Sequence, residues 1–177
     1  MEFRRGAVAT ALQRPHGART GVVHVIEIFD AEQLAEVERQ IDGWLDTLRS
    51  EHDHILAVDR SDDGTIRWYV RMRGDDKEFT TVWLTLSQRT LRYETYVLPA
   101  PEENAAILYE NLLRRNERLV GAHFSIGIED AVFLRGEIPV SMVSLVEIDR
   151  ALGTLYATVE QCFQGFLRIA FASRFAD

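Results

Sequence analysis

The sequence predicts an α+β fold, an antiparallel sheet with flanking helices in the order helix, three or four strands, helix, two-strand hairpin, long helix. Three observations predict it. Apolar residues recur at helical spacing in three segments and alternate with period two in the stretches between them. Turn-sized connections such as Asp63-Gly64, Gly74-Asp75 and Gln88-Arg89 separate the alternating stretches. The 177 residues, 46% hydrophobic and 27% charged, make one domain with a globular balance, which excludes a disordered chain and a multidomain enzyme.

Residues 1–21 stand apart, with Arg4, Arg5, Arg14 and Arg19 against the lone Glu2 and no sustained apolar period. This basic stretch reads as a loosely ordered tail, with an arginine-rich presequence as the alternative. Residues 22–177 then form a single domain. In its first helix Asp30 is the cap, Gln33 returns the bond, and Phe29 packs on Leu34 as a staple. The stripe Leu34, Val37, Ile41, Trp44 and Leu48 follows to about Ser50, backed by an acidic outer face.

From about Ile55 to Leu98 the period is two. Ile66, Trp68, Val70 and Met72 alternate with arginines and Tyr69, and Phe79 to Ser87 and Leu91 to Leu98 follow. This is a three-strand meander, with Ile55 to Val58 a candidate fourth strand. A one-residue slip would turn every side chain over, so register follows from burial. It places Ile66, Trp68, Val70, Val82, Leu84, Leu86, Leu91, Tyr93 and Val97 on one face, the core, and requires an odd-length loop near Gly74. Pro101 with Glu102 and Glu103 is predicted to open the second helix, which ends in Arg114-Arg115-Asn116 where cations suit the dipole. Phe124 to Ile128 and Val132 to Ile138 make the second hairpin. Ser144 and Glu147 cap the long closing helix, in which Gly153 and Gly165 mark bends or a close-packed neighbour.

Charge and cysteine usage narrow the classes further. A formal charge of −8 argues against a wide footprint for duplex nucleic acid. The single cysteine, Cys162, excludes an intrachain disulfide or an all-cysteine zinc site, and its mid-helix place among Leu155, Val159 and Phe166 makes it a small core residue. Nothing approaches the ~20 apolar residues needed to cross a bilayer, and the N-terminus lacks the apolar core of a secretory signal, so the simplest address is the cytoplasm. Glu51-His52-Asp53-His54 is a compact group of candidate metal ligands that only His123 or a distant carboxylate would complete. No nucleophile turn, phosphate loop or dinucleotide fingerprint occurs. The expectation is no catalytic, cofactor or metal residue, with a metal-dependent hydrolase as a distant alternative.

Two surfaces are candidates for binding. The sheet face opposite the core collects Arg67, Tyr69, Arg71, Phe79, Trp83, Arg92, Glu94 and Tyr96, and a solvated face rarely gathers four aromatics. It reads as a surface covered by protein, with an anionic ligand or single-stranded nucleic acid as the alternative. On the last helix, Leu145, Tyr156, Leu167 and Phe171 form a second apolar set beside the main stripe. Leaving about 400 Å² of such surface in water would cost ~10 kcal/mol, so a partner or a second copy is expected there.

The segment Tyr96-Val97-Leu98-Pro99-Ala100-Pro101-Glu102-Glu103-Asn104, then Leu112-Leu113-Arg114-Arg115-Asn116, the strand from Phe124, Leu134 through Ile138-Pro139, and Asp149, Leu152-Gly153 and Phe163 resemble the actinobacterial branch of the YbjN family, bacterial sensory transduction regulators. The element order resembles that of type III secretion chaperones. The resemblance implies a chaperone-like α+β fold, a homodimer, and a regulatory or protein-binding role with an unidentified client. It carries no catalytic motif. A tight corner does not account for the identity of Asn104 and Asn116.

Overall fold

The computed structural model describes residues 28–176, so the basic stretch 1–21 lies outside the described residues. Helix α1 (Ala31–Glu51) leads into strands β1 (Ile55–Arg60), β2 (Arg67–Arg73), β3 (Phe79–Leu86) and β4 (Thr90–Leu98). Helix α2 (Ala105–Asn116), strands β5 (His123–Ile126) and β6 (Val132–Pro139), and helix α3 (Leu145–Ala170) complete the chain. The strands form one six-stranded antiparallel sheet in the order β1-β2-β3-β4-β6-β5, which confirms the α+β class and the fourth meander strand.

The predicted register holds. Trp68 lies opposite Leu84, Val70 opposite Val82, Leu84 opposite Tyr93 and Leu86 opposite Leu91. All of these are buried, with Val97, whereas Ile66 at the sheet's end is half-buried against the core. Residues Gly74–Glu78 make the odd-length loop between β2 and β3. The core continues through Ile41, Leu45 and Leu48 of α1, Leu108 and Leu112 of α2, and Ile148, Leu155, Val159 and Phe166 of α3. The three helices therefore cover one face of the sheet, and no helix among the described residues covers the other.

Local chemistry explains the boundaries. The Asp30 carboxylate accepts N–H bonds from Glu32 and Gln33, both at 2.9 Å, and the Gln33 side chain accepts from the Asp30 N–H, the complete capping box. Helix α2 starts later than the prolines predict. Glu102 and Glu103 donate their N–H groups to the Ala170 carbonyl at the end of α3, and Asn104 takes a left-handed φ of 52° before the helix opens at Ala105. The acids therefore satisfy a neighbouring helix end instead of forming the first turn. Asn104 also donates from Nδ2 to the Ile169 carbonyl at 3.1 Å, which accounts for its identity: asparagine tolerates the left-handed region and carries the donor.

Asn116 has an equally specific task. Its Oδ1 accepts the Phe124 N–H at 2.7 Å while its Nδ2 donates to the Phe124 carbonyl at 3.2 Å. A side-chain amide thus occupies the outer hydrogen-bonding edge of β5, the short strand at one border of the sheet, and blocks strand addition there. At the opposite end of the sheet, the Glu160 carboxylate of α3 accepts N–H bonds from Asp75, Asp76 and Lys77 at 2.7–3.2 Å, and Gln164 donates to the Asp76 carbonyl. The β2–β3 turn is pinned to the helix layer.

Two expectations about α3 are corrected. The helix runs unbroken through Gly153 and Gly165, and a Cβ at either would meet nothing within 4 Å, so neither marks a bend or a close neighbour. Phe171, expected on a docking surface, is buried in the core at 5% exposure. It stands at the helix's C-cap with φ −137°, and its ring lies under Arg174. Leu145, Tyr156 and Leu167 are half-buried and packed on the core. The physical reason is the layer: α3 lies between α1 and α2 as well as on the sheet, so a wide apolar stripe is consumed within the chain.

Candidate functional site: the open sheet face

Alternation along the strands sends Arg67, Tyr69, Arg71 and Arg73 of β2, Phe79 and Trp83 of β3, and Arg92, Glu94 and Tyr96 of β4 to the face without helices. The structure brings all six predicted residues, Arg67, Tyr69, Arg71, Trp83, Arg92 and Tyr96, to this face. It adds residues of β6 that the sequence reading missed. Because β6 inserts between β4 and β5, Phe133 stands opposite Tyr96, and Arg135 stands opposite Glu94. The alternation Val132, Leu134, Ile138 already implied that Phe133, Arg135 and Glu137 point the other way, but only the non-sequential strand order sets them beside Tyr96.

The rings form a continuous row. Tyr69 meets Trp83 edge-on at 6.4 Å between centroids, Trp83 meets Phe133 at 6.0 Å, and Phe133 meets Tyr96 edge-on at 5.7 Å. Phe133 is buried despite having no helix above it, since its ring fills the space over Gly127, where a Cβ would come within 2.5 Å of ring carbon Cδ2. Trp83 and Tyr69 are half-buried and Tyr96 is 37% exposed. The row is a firm apolar floor and not a set of loose side chains.

Charge surrounds the floor. Glu94 and Arg135 form a half-buried ion pair at 3.4 Å, and the Arg135 guanidinium lies 5.3 Å from the Phe133 centroid. Arg71 covers Phe79 at 4.4 Å, and Arg67 donates from Nε to Thr85 Oγ1 at 3.0 Å. Among the described residues, Arg67, Arg71, Arg73 and Arg92 pair with no carboxylate. Arg67 acts on its neighbours instead. The Asp63 carboxyl is pulled down to about 2, first by the Thr65 N–H, then by the Ser61 hydroxyl and with a smaller contribution from Arg67. The Tyr69 phenol is shifted below its ordinary value by Ser61 and Arg67, while burial pushes the Tyr96 phenol up. One end of the face opens into a cleft of about 500 Å³ lined by Arg92, Gly121, His123, Arg135, Gly136 and Glu137.

Outside this face, His52 Nε2 lies 3.8 Å from Asp149 Oδ1, His52 and His54 are 5.5 Å apart between ring centroids, and His54 stacks near Tyr156 at 5.1 Å. The histidines thus join α1's end to α3. Among the described residues no three His, Cys, Asp or Glu side chains converge as a metal site would need. The Cys162 thiol is buried and pushed up to about 12 by burial, which keeps it protonated. No helix among the described residues is long and apolar enough to cross a membrane.

A second exposed feature lies at the β5 border. Leu113 of α2 and Ile126 of β5 are 69% and 49% exposed, and between them runs an apolar cleft of about 240 Å³ lined by Tyr109, Leu112, Leu113, Phe124, Ser125 and Ile126. Sequence reading placed the surplus apolar surface on α3; it emerges here instead.

A helix-backed antiparallel sheet in this strand order defines an α+β fold that solved structures share. The fold of a chain in the ExsC–ExsE complex is similar, with a TM-score of 0.51 at 17% identity over 77% of this chain and 96% of that one. A chain of the heterodimeric ExoU–SpcU complex from the type III secretion system of Pseudomonas aeruginosa aligns over 70% of this chain and 95% of its own, at 13% identity and a TM-score of 0.49. Residues 38–168 match the YbjN family, described as "Putative bacterial sensory transduction regulator", and the chain belongs to that family. It is 32% identical to an uncharacterized protein of Mycobacterium tuberculosis (Rv0487) over 104 residues, 59% of this chain and 57% of that protein. An uncharacterized protein of Mycobacterium leprae (ML2442) is 31% identical over 111 residues, 63% of this chain and 60% of that one. The match thus spans under two thirds of the length of these relatives.

Proposed function

We propose that this protein is a non-enzymatic, homodimeric adaptor of the cytoplasm that holds a polypeptide client on the open face of its sheet. The observation that carries the reading is the aromatic row Tyr69, Trp83, Phe133 and Tyr96, set on a rigid sheet and covered by no helix among the described residues. Rigid aromatic side chains supply contact area at low entropic cost, which is why they dominate protein interfaces. The chaperone-like fold and the regulator family support a binding role over catalysis. For the second copy, the apolar cleft beside Leu113 is the natural contact. Helix α2 carries Glu110 toward its middle and Arg114 and Arg115 at its end, so an antiparallel pair of α2 helices sets unlike charges against each other.

The test is a photo-crosslinking phenylalanine at position 96 in cells, with and without Trp83→Ala. Protease-sensitive adducts that Trp83→Ala abolishes support the reading. Adducts destroyed by nuclease, or none above the self-crosslinked chain, refute it. A second reading, an anionic ligand or single-stranded nucleic acid on the same face, draws on the unpaired arginines beside aromatic rings, and its signature is affinity that falls steeply with salt.

A further inference from the structure

We infer that the open face takes an acidic polypeptide segment with aliphatic or aromatic side chains interleaved among its carboxylates. This rests on the protein-binding reading above and names the chemistry of the partner. On a chain whose formal charge is −8, the strand positions of this face carry five guanidiniums, Arg67, Arg71, Arg73, Arg92 and Arg135, against three carboxylates, Asp59, Glu94 and Glu137; Glu94 is engaged by Arg135, and Arg67, Arg71, Arg73 and Arg92 form no ion pair among the described residues. Unpaired guanidiniums around a firm apolar floor favour carboxylates at the margins and apolar side chains at the centre. The cleft lined by Arg92, His123 and Arg135, with Glu137 as its one carboxylate, gives such a segment a concave end in which to seat.

The geometry separates this partner from the other candidates. Base stacking needs free ring faces, but Tyr69 on Trp83 and Tyr96 on Phe133 meet at 82° and 84°, so each ring turns its edge or face into its neighbour. A corrugated floor of that kind admits branched and aromatic side chains between rings more readily than parallel bases. A polyanion also meets the repulsion of the whole acidic chain, whereas a short segment with a few carboxylates meets mainly the local arginines. The chain's own residues 1–21 are basic and bring like charge to the face. A second copy facing this surface would do the same.

Fluorescence anisotropy of the full chain with three labelled probes of about twelve units tests the inference: a peptide alternating Glu with Phe and Leu, the same peptide with Lys in place of Glu, and oligothymidine. The acidic peptide is expected to bind at least about tenfold more tightly than the lysine peptide, with the preference inverted by Arg71→Glu/Arg92→Glu. Trp83→Ala is expected to weaken the acidic peptide by a similar factor, with circular dichroism confirming that each variant is folded and Arg92→Gln giving an intermediate loss. Tighter binding of the lysine peptide overturns the acidic partner and leaves protein binding standing. Tighter binding of oligothymidine overturns both. Failure of the acidic peptide to bind at about 1 mM, or binding indifferent to the charge reversal, overturns the inference as well.

Discussion

The two faces of the sheet are built from the same strands, yet they hold aromatic side chains by different means. On the covered face Trp68 is 1% exposed, its ring enclosed by the core and its Nε1 donating to Asp42 Oδ1 of α1 at 2.7 Å. On the open face Trp83 is half-buried and packs against the Tyr69 and Phe133 rings of its own layer. Burial on the first face comes from a second layer of structure; on the second it comes from sideways packing within one layer. The contrast supports the proposed division of roles, since aromatics that stabilise the fold need no free surface and aromatics that would receive a partner need one.

Truncating one tryptophan on each face gives the largest expected contrast. Trp68→Ala is expected to lower stability by about 3–5 kcal/mol, the range for emptying a large core site, and it also removes the indole donor from Asp42, which keeps its ion pair with Arg60. Trp83→Ala is expected to cost under about 1 kcal/mol in the same urea titration while reducing partner binding. Equal losses at the two positions would mean that the open face is part of the folding core, and the proposed site would fall.

The comparison sharpens at the β5 border, where the apolar layer of the covered face reaches solvent. Leu113→Asp and Ile126→Asp each set a charge into the cleft between α2 and β5, and both side chains are exposed, so the fold should tolerate them. Light scattering over a dilution series is expected to show a dimer for the native chain and for Trp83→Ala, and a folded monomer for each aspartate variant. A native chain that is monomeric at all concentrations would remove the dimer and leave the open-face reading intact. Asn116→Ala acts on the neighbouring strand. It removes two hydrogen bonds from Phe124 and uncovers the edge of β5, with an expected loss of about 1–3 kcal/mol in urea melts and a rise in aggregation.

Much of this contrast was legible in the sequence because period-two alternation with long apolar stretches leaves one consistent register. Trp68, Val70, Val82, Leu84 and Leu91 could share a face in no other way, and the same register carried Tyr69, Trp83 and Tyr96 to the opposite side. What escaped depended on contacts distant in sequence. Phe133 joins the aromatic row only because β6 pairs with β4, and the burial of Phe171 depends on how α3's end meets the start of α2. Asn104 and Asn116 read as arbitrary polar residues until the carbonyls and N–H groups they satisfy, Ile169 and Phe124, are in place. Amphipathic width on α3 was read as a docking surface because helical periodicity reports how much of a helix is apolar and not how many neighbours cover it.

A pH-dependent effect is expected at a cation that touches both faces. Lys77, in the turn between β2 and β3, places its Nζ 5.3 Å from the Tyr96 ring on the open face and 5.4 Å from Phe163 on α3, and it donates to the Tyr96 and Val97 carbonyls where β4 shifts register. Burial pushes its ammonium down to about 8 from the ordinary 10.5, against weaker support from the negative charge of Glu160. Between those two values the unfolded chain holds a proton that the folded chain has released, so stability rises with pH across about 8 to 10.5. The expected outcome is that the stability of the native chain, measured by urea titration, gains on that of Lys77→Met as pH increases through this window, with no such gain between pH 6 and about 7.5. The same experiment on Lys77→Arg separates charge from space: a guanidinium stays protonated throughout, so its stability relative to Lys77→Met should not rise. If the native chain instead shows no gain between about 8 and 10.5 and loses stability relative to Lys77→Met above about 10.5, the two carbonyls and two rings hold the charged ammonium more strongly than burial opposes it, and Lys77 is a clamp between the faces that alkali opens.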